Sequence, residues 1–226
     1  MTGKPRIVVI DHRSANIHSV AKALVRCGVE PVVSSAPEDL ARADGAVLPG
    51  VGAIDAAMRA LTRLELIEPI KRFVAAGRPL LCVCLGMQLL FPRSEEGREG
   101  GLGLVDGNVV RFEDGMHSAY GDGALKVPHM GWNRVHLSDD ARAHPVFAGV
   151  PQESYFYFVH SYHCRPADQA RIAATTDYGV SVCAALIDGE IIATQFHPEK
   201  SGVVGLRIYE NFVAYVTARA AARAAG

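Results

Sequence analysis

Residues Leu80 to Phe91 read LLCVCLGMQLLF. After Arg78-Pro79 an apolar, strand-compatible run ends on Cys84, and Leu85-Gly86 lead into a helix-compatible stretch, Met87-Gln88-Leu89-Leu90-Phe91. A nucleophile between a strand end and a helix start, with glycine two residues on, is the pattern of a nucleophile elbow with cysteine in the place of serine. The position suits a thiol, because the first N–H groups of a helix are unpaired and electropositive and so favour thiolate. Gly86 removes a Cβ where the turn is tight and a substrate must come close. Plain core packing competes with this reading, since free cysteine is among the most buried residue types.

Upstream, Arg6-Ile7-Val8-Val9-Ile10 forms a short apolar strand ending at Asp11. Ile17, Val20, Ala21 and Leu24 then recur with the spacing of an amphipathic helix. Gly28 ends that helix, Pro31-Val32-Val33 starts a second strand, and Gly45-Ala46-Val47-Leu48 reads as a third. Strand, helix, strand with short connections predicts a parallel α/β core. Pro49-Gly50-Val51-Gly52-Ala53 follows the third strand, and its two glycines let backbone N–H groups turn toward a ligand, although a plain strand-to-helix turn has the same composition. Ile67, Ile70 and Val74 mark a helix leading to Pro79. Ligands of open α/β sheets sit at the carboxyl ends of strands, so the Gly50–Gly52 turn and Cys84 are expected to share one crevice.

Downstream of Gly97 the helical period fades. Asp106-Gly107, Asp114-Gly115, Asp122-Gly123 and Asp188-Gly189 punctuate short strand-like runs as far as about residue 190, which predicts a mainly antiparallel half. The last strand, Ile191 to Phe196, ends in His197-Pro198-Glu199-Lys200-Ser201. Proline biases His197 toward extended geometry, which would place His197 and Glu199 on one side, the carboxylate orienting the imidazole. Ser201 is then an N-cap candidate for a final helix with Leu206, Tyr209, Val213 and Val216 on one face. The alanine- and arginine-rich residues 217–226 read as a frayed or solvated tail. The whole is one α/β domain, residues 1–226: an open mixed sheet with a parallel core and an antiparallel extension, flanked by helices.

Composition narrows the function classes. The 226 residues are 49% hydrophobic and 21% charged with net charge −1, which gives no basis for a nucleic-acid or anionic-membrane partner. The apolar run near the start is too short for a signal peptide, and five cysteines argue against a disulfide framework, so a cytoplasmic location is expected.

Cysteine at an elbow with His-Pro-Glu far downstream resembles the triad, or class I, glutamine amidotransferases. PGVGA, CLGMQLLF, SEEG, GLGLVDGNVVRF, VPHMGWN, YFVHSYH and QFHPEKSG follow in that order. The set is similar to the amidotransferase subunits of imidazole glycerol phosphate synthases, enzymes of histidine biosynthesis, over Ile7 to about Val216. The resemblance implies a glutaminase that converts L-glutamine to L-glutamate and ammonia without a cofactor or metal. Cys84 would be the nucleophile, His197 the general base and acid, and Glu199 its partner. The Leu85 N–H and an N–H of the Gly50-Val51-Gly52 loop, which would have to flip, would form the oxyanion hole. Gln88, Glu96, Ser161 and Tyr162 would grip the amino-acid end of glutamine. Ammonia would pass to a (β/α)8-barrel synthase subunit in a heterodimer, and that subunit would make imidazole glycerol phosphate and AICAR. Trp132, Asn133 and Lys200 are the candidates for the contact or signalling surface.

The chain departs from the family pattern in two places. Cys82 stands where glycine is usual, and reads as packing. The family's N-terminal Asp-Tyr-Gly-x-Gly-Asn is replaced by Asp11-His12-Arg13-Ser14-Ala15-Asn16, which bears on docking and loop conformation. Other readings are a metal site drawing on His160, His163 and Cys164, although no zinc spacing is matched, and nucleotide binding through PGVGA, although no phosphate-loop lysine is present. His160 and His163 are expected to flank the glutamine pocket, and His129 to be a hydrogen-bonded structural histidine. A non-catalytic binding module, or a paralogue serving a different barrel enzyme, completes the alternatives.

Overall fold

A computed structural model of the chain describes residues 4–13, 17–117 and 124–225. In chain order the elements are β1 (Ile7–Ile10), α1 (Ile17–Arg26), β2 (Val32–Ser34), α2 (Pro37–Ala41), β3 (Gly45–Gly50), α3 (Ile54–Arg63), α4 (Ile67–Ala75), β4 (Leu80–Cys84) and α5 (Leu85–Gln88). They continue as β5 (Gly107–Arg111), β6 (His129–Leu137), α6 (Asp139–Ala143), β7 (Ser154–His160), β8 (Tyr162–Pro166), β9 (Ile172–Asp177), β10 (Ser181–Asp188), β11 (Ile191–Thr194) and α7 (Gly202–Ala225).

Nine strands form one sheet in the order β2-β1-β3-β4-β11-β10-β9-β6-β7. β1 pairs in parallel with β2 and β3, and β4 in parallel with β3 and β11. From β11 outward every pairing is antiparallel. The expected mixed sheet is therefore present, with its parallel core and antiparallel extension. A separate two-stranded sheet, β5 with β8, was not foreseen. It arises because the VHSYH segment breaks at Ser161: β7 stays in the large sheet while β8 leaves to pair with β5.

Alternation along the strands divides the core into two layers. Ile7, Val9, Val47, Leu81 and Val83 face a cluster closed by Ile208, Tyr209, Phe212 and Val216 of α7. Val8, Ala46, Leu48, Leu80 and Cys82 face the opposite cluster, which includes Ile54, Met58 and Leu61 of α3 and Ile70 and Phe73 of α4. Helix α3 escaped the sequence reading although Ile54, Ala57, Met58 and Leu61 carry the i, i+3, i+4, i+7 stripe and all are buried.

Local chemistry differs from expectation at several points. Helix α5 is one turn long, not a helix to Phe91. The carbonyls of Leu89, Leu90 and Phe91 are taken by the N–H groups of Leu102, Leu104, Val105 and Gly101, and Pro92 has no N–H with which to continue. The β10–β11 turn consists of Gly189-Glu190, with Asp188 still paired to Ile191. Asp106 precedes β5 and forms no hairpin corner, while Asp114-Gly115 is a turn. Asp122-Gly123 and Ser14-Ala15-Asn16 lie outside the described residues. Helix α7 continues to Ala225; in its last turns Arg219 pairs with Glu190, and Arg223 reaches the Asp44 carbonyl. No helix among the described residues is long and apolar enough to cross a membrane.

Candidate active site

The candidate site lies at the carboxyl ends of three neighbouring strands. Gly50, the last residue of β3, lies opposite Cys84, the last of β4, and Thr194 of β11 lies opposite Val83. Cys84 adopts φ 55° and ψ −108°. That turn breaks the strand alternation: instead of following Leu80 and Cys82, Cys84 joins the layer of Leu81 and Val83. The elbow is possible because of two glycines. A Cβ on Gly86 would lie 1.9 Å from the Leu48 carbonyl oxygen, and one on Gly50 would lie 2.9 Å from Leu85 Cβ. Cys82 is fully buried between Leu48 and Ala193 on the adjacent strands, and burial pushes its thiol well up. It packs.

His197 is extended, but Pro198–Lys200 form a turn of 3-10 helix rather than continuing the extended run. The turn brings Glu199 back onto the ring, and His197 Nδ1 donates to Glu199 Oε1 at 2.7 Å with both side chains fully buried. Burial opposes the imidazolium, but the Cys84 sulfur and the Glu199 carboxylate outweigh it and raise His197 to about 9. Although the sulfur is close enough to act on the ring, His197 Nε2 makes no hydrogen bond of good geometry among the described residues. Tyr209 of α7, seen in the sequence only as an apolar-stripe residue, extends its hydroxyl to Glu199 Oε2 at 3.5 Å.

Ser201 does not cap α7 with its side chain. Its Oγ donates to the His197 carbonyl at 2.6 Å and accepts the Tyr157 N–H at 3.0 Å. The His197 N–H in turn donates to the Tyr157 carbonyl, so β7 and the histidine turn are stitched together.

A cavity of about 340 Å³ opens beside Cys84, lined among others by Gly52, Leu85, Gln88, Glu96, Ser161 and Tyr162. Six of the seven residues expected around a substrate therefore meet in one place; Gly50 lies beneath Leu85. Glu96 Oε2 accepts the N–H of Ile54 at the start of α3, and burial raises its pKa. The loop carrying Glu96 is held by Asp55, whose carboxylate accepts the N–H groups of Arg98 and Glu99. Gln88 Nε2 donates to the Tyr162 carbonyl at 3.0 Å and to Gln195 Oε1 at 3.1 Å. Gln195 was missed from sequence because it reads as an ordinary strand residue beside the His-Pro-Glu motif.

His160 lines the cavity, but His163 does not: its ring stacks on Phe112 at 4.8 Å. His160 is occupied on both nitrogens, by the Tyr162 carbonyl at 2.8 Å and by His129 Nδ1 at 3.0 Å. His129 is thus the hydrogen-bonded structural histidine expected, with Asn133 Nδ2 at 3.3 Å from its Nε2. Among the described residues no three potential metal ligands converge.

The altered N-terminal loop touches the site. His12 is buried, and its Nε2 donates to the Pro49 carbonyl at 2.7 Å, anchoring the peptide that opens the Gly50–Gly52 turn. Arg13 takes φ 68°, the left-handed geometry that glycine accepts freely, with its N–H on Asp11 Oδ1. On the outer strands Met130, Trp132 and Tyr155 are 62%, 57% and 55% exposed. Lys200 lies with its Nζ 5.7 Å from the Tyr157 ring centroid.

Comparison with known proteins gives the family and the fold. Residues 8–215 match the family model described as glutamine amidotransferase class-I. The imidazole glycerol phosphate synthase subunit HisH of Synechococcus sp. (strain JA-3-3Ab) is 46% identical over 215 residues, 95% of each chain. The HisH subunit of Methylococcus capsulatus is 48% identical over 210 residues, covering 92% of this chain and 95% of that one. The solved structure of PurLQS from Thermotoga maritima has the same fold, with a TM-score of 0.68 at 16% identity over 94% of this chain and 99% of that one. With a family match spanning nearly its whole length and relatives approaching half identity from end to end, the chain belongs to the class I glutamine amidotransferase family, on its HisH branch.

Proposed function

We propose that this chain, as one amidotransferase unit, is the glutaminase subunit of an imidazole glycerol phosphate synthase of the cytoplasm. It hydrolyses L-glutamine and hands the ammonia to a (β/α)8-barrel synthase subunit in histidine biosynthesis. The observation that carries the reading is that Cys84 and Gln88 line one cavity at the ends of β3 and β4, with the buried His197–Glu199 pair beside the Cys84 sulfur.

The chemistry follows from that arrangement. Cys84 Sγ attacks the side-chain carbonyl carbon of glutamine, forming a γ-glutamyl thioester as the C–N bond breaks. His197 carries the thiol proton to the departing nitrogen, which leaves as ammonia. It then takes a proton from water, whose oxygen attacks the thioester and releases glutamate with the free thiol. Glu199 keeps the ring oriented and balances its charge. The Leu85 N–H and one N–H of the Gly50–Gly52 turn stabilise the oxyanion, each worth about 3 kcal/mol of barrier. Glu96, Ser161 and Tyr162 sit where the amino-acid end of glutamine would lie. Met130, Trp132 and Tyr155 give the outer edge of the sheet an apolar surface suited to a partner, with Asn133 and Lys200 beside it.

The test is glutamate release by the chain alone and with its barrel synthase carrying a nucleotide ligand. Strong stimulation by the liganded partner, abolished by Cys84→Ala, is the expected result. No release under any condition from a folded, partner-bound chain would overturn the reading in favour of a non-catalytic module. Copurification with a different barrel enzyme would redirect it to a paralogue.

A further inference from the structure

We propose that Gln195 is a further catalytic residue, a neutral hydrogen-bond donor that directs the Cys84 sulfur and ties it to the substrate-facing Gln88. The proposal rests on the glutaminase reading for its kinetic consequences, though not for its geometry.

Gln195 follows β11 by one residue, precedes His197 by two, and is fully buried. Both ends of its amide are engaged: Oε1 with Gln88 Nε2 at 3.1 Å, and Nε2 with Cys84 Sγ at 3.7 Å. Chemistry fixes which end points where. The Tyr162 carbonyl can only accept, and it lies 3.0 Å from the Gln88 amide, so the Gln88 group facing it is the NH2. That same NH2 faces Gln195, which must answer with its oxygen. Only the Gln195 NH2 remains for the sulfur. A flip of either amide would set two donors or two acceptors against each other in a dry interior, where an unmade hydrogen bond is costly.

Among the described residues the sulfur's other hydrogen-bond contact is the Val159 carbonyl at 3.9 Å, and His197 Nε2, though close enough for the sulfur to act on the ring, makes no hydrogen bond of good geometry. Gln195 is therefore the group that gives sulfur a donor before the triad engages. A donor to sulfur strengthens as negative charge collects there, and an amide keeps giving it at any pH. Because Gln88 lines the cavity, a ligand that shifts the Gln88 amide moves the Gln195 amide and the sulfur in one chain. The rival role for Gln195 is a buttress for Gln88 alone.

Two readouts on the full-length chain separate these roles: the rate of Cys84 alkylation by iodoacetamide, followed by peptide mapping, and kcat against KM with the barrel synthase bound. Gln195→Met should slow both alkylation and kcat by about 10- to 100-fold, the rate equivalent of one hydrogen bond to a charged group. Gln88→Met should chiefly raise KM for glutamine, and should slow alkylation less than Gln195→Met does. Should Gln195→Met fail to fold, Gln195→Glu replaces it. That variant keeps an oxygen for Gln88 and loses the N–H toward sulfur, so KM should stay near the original while the kcat deficit grows from pH 6 to pH 9. Unaltered alkylation in Gln195→Met, or undiminished kcat in Gln195→Glu, would overturn the proposal and leave the buttress. Absence of glutamate release from the unaltered chain with its synthase would overturn the glutaminase reading instead, and alkylation alone would then decide the role of Gln195.

Discussion

His197 and the group His129, His160 and His163 are all buried, yet the protein drives them to opposite charge states. At the end of the parallel core, His197 has the Glu199 carboxylate and the Cys84 sulfur as neighbours and is raised to about 9. In the antiparallel half, burial lowers His129 to about 4, His160 to about 3 and His163 to about 4. There His129 lies between Phe158 and Tyr178, at centroid distances of 4.6 and 3.9 Å, and His160 is further lowered by His129. Burial alone therefore predicts little about a histidine. An anionic neighbour turns it into a reagent, and aromatic or histidine neighbours turn it into a neutral hydrogen-bonding strut.

The sharpest break of that contrast is Glu199→Gln. Removing the carboxylate should lower kcat by about a thousandfold, read as glutamate release with the synthase present. The same variant tests the charge state. Because the folded pKa of His197 lies above the ordinary 6.5, its contribution to stability is complete below about pH 6.5 and is lost as pH rises through about 9. Urea midpoints of the unaltered chain should decline over that window more than those of Glu199→Gln. Equal declines would remove the charge argument.

Gly86→Ala should be next in size and probes the scaffold beneath His197's partner. The added Cβ would meet backbone, the Leu48 carbonyl, with no side chain able to move aside. A loss of about 3 kcal/mol or more in urea unfolding is expected. In the antiparallel half, His163→Phe should act in the other direction. The histidine's Nδ1 has no partner among the described residues and its ring stacks on Phe112, so phenylalanine keeps the stacking and removes a buried polar atom. With a lowered folded pKa, the histidine's contribution is present above about 6.5 and is lost as pH falls toward about 4. The variant should gain about 1 kcal/mol at pH 8 from the lost unpaired atom and more at pH 5, where the proton linkage adds to it, measured by chemical denaturation. The smallest effect is expected from Arg13→Gly, which relieves a left-handed residue at φ 68° and should stabilise by roughly 0.5–1 kcal/mol.

The parallel core was legible in the sequence because each of its functional groups sits at, or a few residues beyond, a strand end: Gly50 after Gly45–Leu48, Cys84 after Leu80–Val83, His197 after Ile191–Phe196. Periodicity and punctuation mark those places. The opposite wall was harder to read because it contributes backbone atoms, such as the carbonyls of Val159 and Tyr162, which any residue type could supply. Gln195 and Tyr209 escaped for a related reason. Each sits in a segment whose apolar pattern already accounted for it, and only the fold shows that one end of the side chain has polar work. Helix length at the elbow was misjudged because the groups that stop it, the N–H donors of residues 101–105, lie beyond any local window.

Cys84 sits at φ 55° and ψ −108°, where any residue with a Cβ is strained. Such a conformation costs of the order of 1–3 kcal/mol, supplied by the two core layers that hold the elbow. Glycine at position 84 would escape that cost. A laboratory selection rewarding heat resistance alone would therefore favour Cys84→Gly, and the most durable member of such a library would be one that had lost its proposed nucleophile.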